Sequence, residues 1–342
     1  MNELKGKKVI LLEPTDRIDT QFRLYEESGC ELTVGPYTSE PGRGYSPEQL
    51  IDIGNAYDAA VGMSREKFTR EILQNCNRLQ IISKTGIGVD HIDLAAASEQ
   101  GILIANTPGN HDLDVAEYAI GQMLALLKRY DFNDRHMRGG GWRGPETLGG
   151  ELYGLTVGLV GYGHIGRHVA KRLCGWDCRL IAYDPYISQE KCDTFGHPVT
   201  MVDWETLFSQ SDIISLHMML NAETRGCVAK REFSLMKKTA YIINTSRGPL
   251  IDLPSLDWAL GNGEIAGAAI DTHAVEPVGP DYPLYRYDNV LLTPHCAGWA
   301  VGGLSRNSDH AARNVIEALT GAPPQSTVNP DAIPLWKQRF GY

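Results

Sequence analysis

The residues best suited to do chemistry in this chain lie in Thr156-Val-Gly-Leu-Val-Gly161-Tyr-Gly163-His164-Ile165-Gly166. Val157–Val160 reads as a strand, Gly161-x-Gly163-x-x-Gly166 as a tight turn, and Ile165–Leu173 as a helix. Gly161 allows the backbone to reverse, Gly163 leaves room for a pyrophosphate, and Gly166 lets helix and strand pack closely. The helix N-terminus then offers the anion free N–H groups and the positive end of its dipole. Further on, Leu180-Ile-Ala-Tyr-Asp184 ends a second strand in a carboxylate, placed to accept hydrogen bonds from an adenosine ribose and to repel a 2′-phosphate. NAD rather than NADP is the expected dinucleotide. The alternative for Asp184 is a cap on the turn before Pro185.

Such a cradle needs a parallel sheet behind it. Apolar runs of strand length recur at Val9–Leu12, Leu32–Val34, Ala59–Met63, Leu79–Ser83 and Ile102–Ala105, separated by helical spacing at Ser46–Ile53, Phe68–Cys76 and Ile92–Gln100. Gly101 fits a helix stop. Short continuous apolar strands bounded by helices are what doubly wound parallel sheets produce, because both sheet faces are covered. A second series follows at Val157–Val160, Leu180–Tyr183, Ile213–Leu216, Tyr241–Asn244, Ala268–Ile270 and Val290–Leu292, enough for a six-stranded sheet. Between the two, Val115–Leu127 is an apolar helical stretch, and Arg138-Gly-Gly-Gly-Trp142-Arg-Gly-Pro145 reads as a loop. A last helix is expected at Asn307–Leu319, then Pro-rich coil. The fold class is α/β, with two doubly wound parallel-sheet domains.

Composition narrows the partners. The 342 residues carry 32 Lys+Arg against 42 Asp+Glu, a net charge of -10, and no local basic cluster. Neither nucleic acid nor an anionic membrane is expected as a partner. The start MNELKGKKVILLE has no signal-length apolar region and no run of 18 apolar residues occurs, so a cytoplasmic location is expected. Seven dispersed cysteines without a C-x-x-C pair disfavour both a disulfide framework and a metal site.

Read together with Asn244-Thr245-Ser-Arg247-Gly248, Asp271-Thr-His-Ala-Val-Glu276-Pro277 and Thr293-Pro-His295-Cys-Ala-Gly298, the cradle makes the sequence resemble the D-isomer-specific 2-hydroxyacid dehydrogenase family. Leu79–Asp93, Asn106–Gly109, Val115–Glu117 and Gly141-Trp142 look like further family signatures in family order. The resemblance implies a discontinuous, flavodoxin-like substrate domain (1–107 and the returning tail 299–342) and an NAD-binding Rossmann domain (108–298), with substrate in the cleft between them. It implies His295 as general acid/base, Glu276 as its hydrogen-bonded partner and Arg247 as anchor for the substrate's carboxylate and carbonyl oxygen. These roles suit the groups: imidazole titrates nearest neutral pH, and guanidinium presents a planar fork to a carboxylate. It also implies cofactor contacts at His164, Ile165, Asp184, His217, Thr245, Arg247, Asp271, His295 and Gly298, Asp271 accepting from the nicotinamide amide. The substrate's carboxylate would meet backbone N–H groups of Gly86, Ile87 and Gly88, a segment that is otherwise an ordinary strand-to-helix turn. A homodimer through the cofactor domain is implied, with Val115–Leu127 either an interface element or a buried helix.

The implied activity is hydride transfer between NAD and a small 2-hydroxy or 2-keto acid such as hydroxypyruvate, glyoxylate or 3-phosphoglycerate. A non-enzymatic, corepressor-like NAD(H)-sensing regulator of the same fold is the alternative; phosphite or formate oxidation lacks support. The end at Tyr342 leads one to expect no appended regulatory module. Met218-Met219-Leu220 follows His217 where the family usually has proline, which puts the role of His217 in question. His273 stands where an aromatic is frequent and would either select a polar substrate or pack. Arg65 and Lys84 could meet a substrate phosphate or be solvated, and Cys296 adjoins the catalytic histidine as a thiol without a second base.

Overall fold

The computed structural model describes residues 4–16, 18–40, 44–62 and 66–342. Met63 and Arg65 lie outside the described residues. The chain divides into two compact units, Met1–His111 with Ala300–Tyr342, and Asp112–Trp299.

The first unit alternates β1 (Lys8–Leu11), α1 (Arg23–Ser28), β2 (Glu31–Val34), α2 (Pro47–Ala56), β3 (Ala59–Gly62), α3 (Arg70–Gln74), β4 (Ile81–Lys84), α4 (Leu94–Glu99) and β5 (Leu103–Ala105). Local chemistry sets the helix starts. Ser46 and Gln49 form a reciprocal capping box with Pro47 in the first turn, and the side chains of Thr69 and Asp93 accept from backbone N–H groups of α3 and α4. Gly101, at φ +60°, turns the chain out of α4. The strands pair in parallel in the order β2-β1-β3-β4-β5, the flavodoxin order.

The second unit contains α5 (Asp112–Lys128), α6 (Tyr130–Arg138), β6 (Thr156–Val160), α7 (His164–Leu173), β7 (Arg179–Tyr183), α8 (Gln189–Asp193), β8 (Val199–Met201), α9 (Trp204–Gln210), β9 (Ile213–Leu216), α10 (Lys230–Leu235), β10 (Tyr241–Asn244), α11 (Leu253–Gly261), β11 (Gly267–Ile270) and β12 (Val290–Leu292). The sheet is parallel throughout and runs β12-β11-β10-β9-β6-β7-β8, a Rossmann order with one strand added. It has seven strands, not the six expected. The extra one, β8, is a three-residue edge strand beside β7, too short to stand out as an apolar run. The strand order reverses between β6 and β9, which opens the crevice where ligands bind in such sheets.

The chain then rejoins the first unit through α12 (Val301–Leu319) and α13 (Ile333–Phe340). The last helix begins six residues before the expected Asn307. The expected terminal coil contains α13, whose Trp336 is fully buried against Val9, Leu11, Leu103 and Val315. Helix α5 buries Val115, Ala116, Ala119, Ile120, Met123 and Leu127 inside the second unit, packed on α7 and on β10 to β12. No helix of the described residues is long and apolar enough to cross a membrane.

Candidate active site

The second unit gathers the chemistry-bearing side chains at the carboxyl ends of its strands. The loop after β12 carries His295, whose backbone is left-handed at φ +54°. A non-glycine residue in that region costs roughly 1–2 kcal/mol. Two hydrogen bonds oppose that cost, from His295 N–H to the carbonyls of Asp271 (2.8 Å) and Thr293 (3.0 Å). The imidazole Nδ1 meets Glu276 Oε2 at 2.7 Å, and Glu276 Oε1 accepts from His273 N–H at 2.7 Å. Burial pushes the Glu276 carboxyl up, but the hydrogen bonds from His295 and His273 and the charge of the two rings outweigh it and hold the group below its ordinary range. Glu276 is therefore a carboxylate that orients the His295 ring through Nδ1; the two side chains are partly open to solvent, 43% for His295 and 37% for Glu276.

Arg247 sits on the turn after β10. Asn244 Nδ2 donates to its carbonyl at 2.9 Å, Ser246 Oγ ties the turn to the Leu216 carbonyl at 2.7 Å, and Arg247 Nη1 donates to the Ser246 carbonyl at 2.8 Å. Gly248 explains how this turn meets the glutamate loop. A Cβ there would lie 2.0 Å from the carbonyl carbon of His273 and 2.4 Å from Ala274 N, so only glycine lets the two backbones touch. Arg247, Glu276 and His295 thus belong to three adjoining loops of one unit.

Asp271 is fully buried, and its carboxylate accepts from Thr293 Oγ1 (2.6 Å), Cys296 N–H (2.9 Å) and Ala297 N–H (2.9 Å). Its partners within the chain are the histidine loop itself, which makes it the peg of that loop. Gly298 lies half-buried in the turn closed by Trp299 N–H on the Cys296 carbonyl at 2.8 Å. His273 packs: Nδ1 meets the Tyr282 hydroxyl at 3.0 Å, Nε2 meets the Thr293 carbonyl at 2.9 Å, and the two rings stand edge to face. With both nitrogens engaged it has nothing left to offer a substrate. Burial raises the Cys296 thiol above its ordinary range although its contact with the Tyr118 hydroxyl, 3.0 Å away, pulls it down, which leaves it a poor nucleophile. Sequence reasoning missed Tyr118 and Gln122, whose Nε2 reaches Thr293 Oγ1 at 3.2 Å. The signal was available: Tyr118 and Gln122 are polar residues one turn apart within the apolar stretch Val115–Leu127.

The cradle has the shape a pyrophosphate requires. Gly161 adopts φ +96°, and a Cβ on it would lie 2.8 Å from the His217 carbonyl carbon; one on Gly166 would lie 2.3 Å from the Gly161 carbonyl oxygen, whereas Gly163 faces open space. No side chain caps α7, so the N–H groups at its start remain for an anion. His164 opens that helix, exposed, and Ile165 follows half-buried. Asp184 caps its own turn, as the alternative reading expected: Oδ1 accepts from Tyr186 N–H, while Oδ2 accepts from Tyr162 N–H, both at 2.9 Å, tying β7 to the cradle. Each oxygen keeps a lone pair for a ribose hydroxyl.

At the ends of β9, β10 and β11 lie buried polar atoms with no partner among the described residues: both ring nitrogens of His217, which adjoins the cradle at Gly161, and the hydroxyls of Thr245 and Thr272. Burial pushes the His217 imidazole down to about 4, so the ring is neutral near physiological pH. Buried polar groups are normally hydrogen-bonded, and orphans at strand ends fit a polar ligand such as the dinucleotide.

In the first unit, Gly86 is at φ +132°, and its N–H is spent on Thr107 Oγ1 at 2.7 Å. It is thereby removed from the expected set of anion donors. Ile87 and Gly88 show no acceptor for their N–H groups among the described residues. Lys84 is buried, not solvated, with its ammonium donating to the Thr85 carbonyl at 3.1 Å.

Comparison with known proteins agrees with this architecture. Residues 120–297, just over half of the chain, match the family model described as D-isomer specific 2-hydroxyacid dehydrogenase, NAD binding domain. The chain is 36% identical over 326 residues to D-3-phosphoglycerate dehydrogenase of Archaeoglobus fulgidus, covering 95% of this chain and 60% of that one. It is 38% identical over 308 residues to glyoxylate reductase of Thermofilum pendens, covering 89% of this chain and 90% of that relative. The chain thus spans well under two thirds of the phosphoglycerate enzyme and nearly all of the glyoxylate enzyme. The apo-structure of D-lactate dehydrogenase from Escherichia coli superimposes with a TM-score of 0.81 at 29% identity, over 94% of this chain and 99% of that one. A Rossmann sheet with its phosphate cradle, three adjoining loops bearing Arg247, Glu276 and His295, and these matches lead to one conclusion: the chain belongs to the D-isomer-specific 2-hydroxyacid dehydrogenase family, whose NAD-binding domain it carries.

Proposed function

We propose that the protein is an NAD-dependent oxidoreductase that interconverts a small 2-keto acid and its D-2-hydroxy acid. The observation that carries this reading is the 2.7 Å contact between His295 Nδ1 and Glu276 Oε2, on a loop packed backbone to backbone against the Arg247 turn. Bound NAD(H) supplies or accepts the hydride. In reduction, the His295 imidazolium gives its Nε2 proton to the carbonyl oxygen as hydride reaches the carbon, leaving neutral imidazole, and Glu276 holds the ring through Nδ1. Arg247 grips the carboxylate and polarises the carbonyl. Gly161, Gly163, Gly166, His164 and Ile165 take the pyrophosphate, Asp184 the ribose, and Thr245 and His217 the polar atoms near the strand ends. Gly298 stays in the cofactor set as part of the turn behind His295. The N–H groups of Ile87 and Gly88 are the donors we assign to an acid.

The experiment is a panel: NADH oxidation with hydroxypyruvate, glyoxylate, pyruvate and related 2-keto acids, and NAD reduction with 3-phosphoglycerate, each repeated with the phosphorylated cofactor. Clear turnover of at least one substrate, with NADH preferred to NADPH, is expected. NADH binding with silence across the panel would favour the sensing regulator instead. We place the protein in the cytoplasm, where its cysteines, all free, suit a reducing environment. We also infer a homodimer through the second unit. Tyr130, Met137, Trp142, Leu148 and Tyr153, all large and exposed, cluster in the stretch that follows α5, and Trp142 is 71% open.

A further inference from the structure

Asp112, the first residue of α5, has no place in the chemistry described so far. It is 1% exposed, yet only one of its carboxylate oxygens has a partner. Oδ2 lies 3.3 Å from Nδ1 of His164, the first residue of α7, at the mouth of the cradle; Oδ1 has none. A half-satisfied buried carboxylate is costly, and the cost falls when its neighbour carries a positive charge.

The charged groups around His164 are engaged elsewhere. On its own helix, Arg167 is turned back, donating to the Gly163 carbonyl with its guanidinium over the Phe195 ring. One turn on, His168 is held below its ordinary range by burial and by Arg172, so it stays neutral. Arg172 is itself paired with Glu117 of α5 at 2.9 Å. The ring of His164 is 73% exposed, and among the described residues its one charged partner is Asp112.

A carboxylate only accepts hydrogen bonds, so Nδ1 must carry the proton that faces Asp112. Neutral His164 then presents a bare lone pair at Nε2, which repels a phosphate. Only the imidazolium presents an N–H there. We propose that Asp112 is a positioning residue for the dinucleotide, and that through it binding of the pyrophosphate at the start of α7 takes up a proton at His164. The inference rests on the reading of this cradle as the NAD site.

The test is titration calorimetry of the full chain with ADP-ribose, whose pyrophosphate does not titrate near neutral pH, in two buffers of different ionisation enthalpy. Wild-type protein should take up a fraction of a proton at pH 7.5, and its affinity should weaken about tenfold between pH 6 and pH 9, the low end of what one hydrogen bond to a charged group contributes. Adenosine, which lacks the pyrophosphate, should bind without uptake. His164→Asn should abolish both the uptake and the pH dependence. Asp112→Asn should reduce both, because its amide can donate to Nδ1 and leave neutral imidazole with an N–H at Nε2. ADP-ribose binding without proton uptake, or uptake unchanged in Asp112→Asn, would overturn the proposal. Failure of both ADP-ribose and NADH to bind wild-type protein at any pH would instead sink the cofactor reading beneath it.

Discussion

Two neighbouring regions of the second unit treat their buried polar groups in opposite ways. Around the histidine loop almost everything is engaged: Asp271 accepts from three partners, Thr293 bridges Asp271 and Gln122, and His273 uses both ring nitrogens. After β9 and β10, nearer the cradle in the sheet, His217 and Thr245 keep buried polar atoms with no partner among the described residues. The difference separates two jobs. A group that must aim a catalytic side chain is saturated by the protein, whereas a group that must receive a ligand is left wanting one.

The largest expected effect tests the aimed side. His295→Ala should lower keto-acid reduction by about 10²–10⁴-fold, the usual worth of a general acid, while NADH affinity changes less than about twofold. Steady-state kinetics and NADH fluorescence titration measure the two; a parallel loss of binding would merge the regions. Next, Asp271→Ala strands the Thr293 hydroxyl and two N–H groups in the interior. At about 1–3 kcal/mol for each unsatisfied group, it should lose roughly 3 kcal/mol or more of stability in urea denaturation. Turnover should fall with it, because the loop that places His295 loses its peg.

The receiving side should respond in reverse. Thr245→Val removes a hydroxyl that has no protein partner, so apo stability should stay within about 0.5 kcal/mol or rise, while NADH binding weakens about threefold to fivefold. A stability loss above about 1 kcal/mol would show that the hydroxyl serves the fold. His217 gives the smallest effect and a pH signature. Its folded-state value is pushed from 6.5 down to about 4, so the unfolded chain binds the proton more readily. Stability is therefore complete above about pH 6.5 and declines as pH drops through 6.5 towards 4. Thermal melts across that window should show the slope in wild type and lose part of it in His217→Gln.

What the sequence disclosed, and what it hid, follows from how local each requirement is. The cradle was legible because a turn at φ +96° and a close helix–strand approach demand glycine at fixed spacing. The alternation of apolar runs disclosed both parallel sheets for the same reason: burial on two faces leaves a continuous signature. Helix α6 was hidden because none of its residues is buried, and α13 because Pro330 and Pro334 suggested coil although proline is tolerated in a first turn. The direction of a side chain was harder still. Asp271 at a strand end and Gly86 in a glycine-rich turn both looked ligand-facing, but Gly86 spends its N–H, and Asp271 part of its carboxylate, on the chain itself. That choice is made by residues far along the sequence, at Thr293–Ala297 and Thr107.

The first unit is closed by its latest-made pieces. Ala311, Ala312, Val315, Leu319 and Trp336 pack into the same core as Val9, Leu11 and Leu103, and Arg339 donates to the Cys76 carbonyl. During synthesis, the leading 111 residues emerge from the ribosome without those covering helices, and the whole second unit is translated before they arrive. The segment made first must therefore be the one that finishes folding last, holding an apolar sheet face open to chaperones and proteases in the interval.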